Sequence, residues 1–251
     1  MRDAGGLGGP ALLFYRPEWS KCVNAMPGGR VRGASPYIVR MPTIYLIRHG
    51  KASPEADDYD RLSPTGYEQS RLLGTELKRR GLSVGAVVTG SLLRQRQTAT
   101  AALVEAGIDF EPAVDDRWNE YDHLDLLSRF PIETGSLQQR LDACLTSWTT
   151  AEEAGPGSFP HFRDGVRAAL ADVAAGLDRG RTALVFTSGG VIGAVCSALM
   201  NAPDSAFVMM NRVTVNASVS KVAHGRGGTQ LLSFNDHAHL EQGGPELMTY
   251  R

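Results

Sequence analysis

Short apolar runs alternate along the chain with longer segments whose apolar positions recur every three or four residues. Thr43-Ile44-Tyr45-Leu46-Ile47 is apolar, partly β-branched and stops abruptly at charge, the pattern of a buried strand. Ala86-Val87-Val88-Thr89 and Ala183-Leu184-Val185-Phe186-Thr187 repeat it. Helices are predicted between these runs. Ser63-Pro64-Thr65-Gly66-Tyr67-Glu68 opens the first, where Thr65 and Glu68 have capping-box spacing. Gly81 closes it after Lys78-Arg79-Arg80, which set cations against the carbonyl end of the helix dipole. Ser91 is the expected cap of a second helix running through Arg94 and Thr98 towards Gly107.

Residues 108–114 predict a short third strand. The stretch 115–160 has no clean period and is broken at Pro131, Gly135, Pro156 and Gly157, so it reads as an irregular inserted lid. Phe162, Val166, Ala169, Leu170, Val173 and Leu177 recur at helical spacing, predicting an amphipathic helix over 160–178. Ser188-Gly189-Gly190 starts an apolar helix reaching about Met200. Val213, Val215, Ala217 and Val219 alternate as a half-buried strand does, and Thr229 to Phe234 is predicted to pair with it. Alternating strands and helices imply an α/β fold, a three-layer α/β/α sandwich around a mostly parallel sheet. Ligands of such sheets sit beyond the carboxyl ends of the strands. Arg48-His49-Gly50, the Ser91/Arg94 helix start and Ser188-Gly189-Gly190 all fall at such ends, on one predicted rim.

Composition narrows the picture. With 251 residues, 42% of them hydrophobic, the chain can bury one good core, expected as a single domain over 41–251. Residues 1–40 are rich in Gly and Pro and are expected to form a disordered N-terminal extension, with Met41 as an alternative translation start. A net charge of −1 offers no broad basic field, so neither nucleic acid nor an anionic membrane is expected as a partner. No apolar run approaches the roughly 18 residues of a membrane span. Cys22, Cys144 and Cys196 are far apart and form no CxxC pair, which suggests neither a disulfide framework nor a zinc site. A cytoplasmic setting is expected, with a homodimer left open. His237 and His239 form an HxH pair without a recognisable third ligand, so no metal and no cofactor are expected.

The rim residues suit one chemistry. A phosphoryl group spreads charge over three non-bridging oxygens and needs fixed donors and positive charge around them. Arginine supplies planar bidentate donation, and helix N-termini supply backbone N–H groups. A neutral imidazole can attack phosphorus in line, and a carboxylic acid can protonate the leaving oxygen. His49, Arg48 and Arg94 fit the first needs, with the Ser188/Gly189 helix start as a further donor. For the acid, Glu120 has Asp116, Asp122 and Asp125 as neighbours, and an ordinary solvated carboxylate is the alternative. Arg94 could instead face solvent or pair with Glu105, and Arg96 reads as a surface residue. Tyr121, His123, Arg129 and Arg140 are candidate substrate contacts within the lid.

Ile44-Tyr45-Leu46-Ile47-Arg48-His49-Gly50 resembles the signature of the histidine phosphatase superfamily, which includes the cofactor-dependent phosphoglycerate mutases. Asp60-Arg61-Leu62-Ser63-Pro64-Thr65-Gly66-Tyr67-Glu68-Gln69 resembles its helix-opening segment, Ser91 to Ala99 its second arginine motif, and Asn119-Glu120-Tyr121-Asp122 the segment carrying its acid. Order and spacing agree over roughly residues 43–240. The resemblance implies a phosphoglycerate mutase-like fold and a metal-independent phosphomonoesterase acting on a small phosphorylated metabolite through a phosphohistidine. It casts His49 as nucleophile, Arg48 and Arg94 as phosphoryl ligands, and Glu120 as general acid and later base. Family members usually carry a second histidine where this chain has Ser188. A neutral serine bond, worth about 0.5–1.5 kcal/mol, would replace a charge-assisted one of about 1.5–3 kcal/mol. Ser188 therefore motivates an alternative, a phospho-ligand-binding protein with weakened turnover. A phosphoglycerate mutase-like phosphotransferase is a further alternative, and the divergent 115–160 region gives it no support.

Overall fold

A computed structural model describes residues 41–53 and 60–250. The expected extension 1–40 and the centre of the loop after His49 lie outside the described residues. Strand β1 (Thr43–Arg48) lies at the middle of the sheet because both of its faces are apolar. Ile44 and Leu46 join one core cluster, with Ala183 and Val185 of β4 (Thr182–Thr187). Tyr45 and Ile47 join another, with Leu184 and Phe186. Such two-sided burial requires a layer of helices on each face. The helices α1 (Pro64–Arg80) and α2 (Leu93–Ala106) cover one face through Leu73, Leu77, Ala99 and Leu103. The other face is covered by α5 (Phe159–Ala175) and α6 (Gly189–Leu199), through Val166, Leu170, Ile192 and Val195. The sandwich is as expected.

The strand order is β3-β2-β4-β1-β5-β6, with β2 at Val84–Thr89, β3 at Ala113–Val114, β5 at Val219–Gly225 and β6 at Gly228–Asp236. Pairings β1–β4, β2–β4 and β2–β3 are parallel, whereas β5 joins β1, and β6 joins β5, antiparallel. The sheet is thus mixed. Its parallel half carries the rim.

Three local expectations need correction. Residues 115–160 are largely helical, with α3 (His123–Arg129) and α4 (Leu137–Thr150) separated at Pro131 and Gly135. Ser136 and Gln139 form a reciprocal capping box that starts α4, and its buried Leu145 and Trp148 enter an aromatic cluster with Tyr121, Phe159 and Phe207. The alternation from Val213 to Val219 is not a strand at its start: α7 (Ala206–Val213) ends there, and Ala217 is left-handed at φ 58°. The backbone donors of 215–217 go to Asn235 Oδ1, Thr249 O and His49 O rather than to a ladder. The caps also differ. Ser63, not Thr65, accepts the Gly66 N–H at the start of α1, and Ser91 does not cap α2.

Candidate active site

Arg48 and Thr187 lie opposite each other at the carboxyl ends of β1 and β4, and the His49 N–H donates to Thr187 O at 2.9 Å. His49 is therefore held by backbone where the sheet ends. Its Nδ1 lies 2.7 Å from the Gly50 carbonyl, which can only accept, so the proton belongs on Nδ1. Nε2 keeps its lone pair and receives Arg94 Nε at 3.1 Å. Asn216 Nδ2 and the Ala217 N–H both donate to the His49 carbonyl, at 3.1 and 3.2 Å.

Arg94 reaches the site from the first turn of α2, where Asp60 orients it. One Asp60 oxygen pairs with Arg94 Nη1, and the other accepts the Leu93 N–H at 2.6 Å. Asp60 thus acts as the missing cap of α2 as well as the counter-ion of Arg94. The Glu105 alternative fails, because Glu105 pairs with Arg71. Arg48 is buried, with Nη1 donating to Thr214 O.

Glu120 stands across the cavity. Its Oε2 accepts the Gly190 N–H of α6 at 3.1 Å, and its buried Oε1 has no hydrogen-bond partner among the described residues. The neighbouring acids are committed elsewhere. Asp122 caps α3, Asp125 pairs with Arg129, and Asp116 accepts from Asn119. Arg48, His49, Arg94 and Glu120 share a cavity of about 420 Å³ with Lys51 and Asn216. Its outer wall is formed by Ala52, His123, Leu137, Gln138, Leu141 and Tyr250.

The sequence from residue 44 to residue 237 matches the family profile described as histidine phosphatase superfamily (branch 1). The chain belongs to that superfamily. A search of the curated proteins gives no match. Among solved structures, a phosphoglycerate mutase from Bacillus anthracis str. Sterne is similar at TM-score 0.61 and 20% identity, covering 82% of this chain and 97% of its own. A mutant phosphoserine phosphatase from Entamoeba histolytica, in complex with phosphoserine, is similar at TM-score 0.56 and 17% identity, covering 80% and 100%. A mycobacterial glucosyl-3-phosphoglycerate phosphatase is similar at TM-score 0.53 and 19% identity, covering 77% and 98%.

Within this histidine phosphatase frame, not every expected residue reaches the cavity wall. Ser188 is fully buried, and its Oγ accepts Gln95 Nε2 at 2.8 Å. Gly189 starts α6 behind Arg48, where an added Cβ would lie 3.4 Å from Arg48 Nε. Neither residue lines the cavity. Tyr121 is buried beneath it, its hydroxyl accepting from Asn211. Arg129 is tied to Asp125, Glu153 and the Gly157 carbonyl, and Arg96 is exposed on α2. Of the four lid candidates, only His123 lines the cavity.

Sequence reasoning gave no role to Asp60, Lys51, Gln95, Asn216 or Tyr250. Lys51 directly follows the Arg48-His49-Gly50 triplet and was the easiest to find. Asp60 stands at the head of the helix-opening segment, but an aspartate before a helix predicts a cap for that helix rather than for α2. The HxH pair is structural: His239 Nε2 lies 3.1 Å from Ala217 O, and His237 Nδ1 bonds the Asn235 carbonyl. The described residues contain no group of three His, Cys, Asp or Glu arranged to hold a metal. They also contain no helix long and apolar enough to cross a membrane.

Proposed function

We propose that this chain is a phosphomonoesterase that hydrolyses a small phosphorylated metabolite through a phosphohistidine on His49, without a metal. The observation that carries this reading is the His49 lone pair on Nε2, which shares one cavity with two arginines and a carboxyl oxygen that has no hydrogen-bond partner among the described residues. Nε2 attacks phosphorus in line while Arg48, Arg94 and Lys51 balance the charge on the non-bridging oxygens. Glu120 gives its proton to the leaving oxygen as the phosphorus–oxygen bond breaks. Glu120 then takes a proton from water, whose oxygen attacks the phosphohistidine to release phosphate and free His49. Gly189 supports this cradle from behind Arg48, and Ser188 through its bond to Gln95.

A catalytic domain over 41–251, with α3 and α4 as its lid, accounts for the placement of these groups. The named activities of the structural relatives, on phosphoserine and on glucosyl-3-phosphoglycerate, support a small phosphorylated substrate. The test is phosphate release from a broad panel of monoesters in EDTA. Activity is expected, with His49→Ala reducing it to background. Release that persists in His49→Ala, or no release from any ester, sinks the reading. Interconversion of 2- and 3-phosphoglycerate with little hydrolysis would identify a mutase instead.

A further inference from the structure

The outer half of the cavity differs in chemistry from its base. The base is cationic and polar, with Arg48, Arg94 and Asn216. The outer wall presents Leu137 and Leu141 from successive turns of α4, together with Ala52, Gln138, His123 and Tyr250. Leu137 is 63% exposed and Tyr250 49%, although each borders the cavity. The cations of the lid are directed elsewhere. Arg129 is held by Asp125, Glu153 and the Gly157 carbonyl, and Arg140, whose buried Nε has no hydrogen-bond partner among the described residues, does not line the cavity. Among the described residues, Lys51 is the one cation of the wall beyond the two arginines. Its backbone is fixed next to His49 by Gln69 and Ser63.

We infer that the substrate is the phosphate monoester of an alcohol with an uncharged, apolar body, about one aromatic ring or a short alkyl chain in size. The inference rests on the phosphatase reading and specifies its substrate class. A cavity of about 420 Å³ is at the small end of ligand sites, so it holds a phosphoryl group and one such body. Leu137 and Leu141 reward each buried methylene and offer a carboxylate no hydrogen bond.

The test compares kcat/KM for benzyl phosphate and hexyl phosphate with that for 3-phosphoglycerate and phosphoserine. All four lose an alkyl oxygen, so differences report the wall rather than leaving-group acidity. The apolar esters are expected to lead by ~10-fold or more, the discrimination typical of an apolar pocket. Leu137→Lys, an exposed position that the fold tolerates, is expected to shrink that lead severalfold. Equal or better turnover of 3-phosphoglycerate or phosphoserine overturns the assignment while leaving the phosphatase reading standing. So does a lead that Leu137→Lys leaves unchanged. No His49-dependent release from any of the four overturns the assignment, and none from the broader panel overturns the phosphatase reading as well.

Discussion

Gln95 occupies the space beside Ser188 and gives that serine its hydrogen bond. Its amide donates to Ser188 Oγ and to the Trp118 carbonyl, while Oε1 is buried without a partner among the described residues. A histidine at position 188 would collide with this side chain. Ser188→His alone is therefore expected to lower the melting temperature and leave turnover flat, since overpacking costs about 1–3 kcal/mol. Ser188→His with Gln95→Ala is expected to recover stability and raise kcat ~10-fold, the value of a charge-assisted bond over a neutral one. Steady-state rates and melting curves for the two variants decide it. A double variant no faster than the parent would show that the site does not use a cation there. Glu120 yields a second expectation. Glu120→Gln is expected to cut kcat/KM, which reports only the steps up to departure of the leaving group, ~100-fold or more on alkyl phosphates, and much less on 4-nitrophenyl phosphate, whose leaving group needs no proton. An equal loss on both would remove Glu120 as the acid.

Gly50 and Gly66 bring two elements into backbone contact. A Cβ on Gly66 would lie 2.2 Å from the Lys51 carbonyl, and one on Gly50 would lie 2.4 Å from the Gly66 carbonyl. The start of α1 therefore buttresses the loop that carries His49. Gly66→Ala is expected to cost about 1–3 kcal/mol and to lower activity by displacing that loop. Gly165, inside α5 with open space around its Cα, is the control; alanine there is expected to stabilise by up to about 1 kcal/mol. Urea unfolding of both variants tests this, and a neutral Gly66→Ala would contradict the buttress. The helices α1, α2, α5 and α6 were legible because their apolar stripes are local. The helices α4 and α7 were not. The breaks around α4 drew attention from its Ser136/Gln139 box, and Val213 to Val219 imitates a strand while its backbone bonds elsewhere.

His239 precedes the end of the chain in α8 (Ala238–Glu241), beneath the segment that backs His49. Burial pushes its pKa down to about 4, against the opposing pull of Asp236 and of its bond to Ala217. The unfolded chain takes up a proton near pH 6.5 that the folded chain refuses. Stability is thus full above about pH 6.5, falls as pH drops, and levels off near pH 4, with about 3 kcal/mol lost in between. Glu76, held near 2 by Arg79 and Arg80, stabilises fully above about pH 4.5 and loses that contribution only at lower pH. Unfolding free energies at pH 7.5 and 5 should differ in the parent and converge in His239→Gln; an unchanged difference would clear His239 of the effect. The alternation of elements, the two-faced central strands and the order of His49, Arg94 and Glu120 are legible in the chain, because periodicity and motif spacing are local. That β5 and β6 run antiparallel, that Asp60 serves α2, that Gln95 fills the space beside Ser188, and that Asn216 and Tyr250 line the cavity emerges only in the folded protein. Those facts depend on which distant backbone groups and side chains find one another as partners, and such pairings leave no period in the chain.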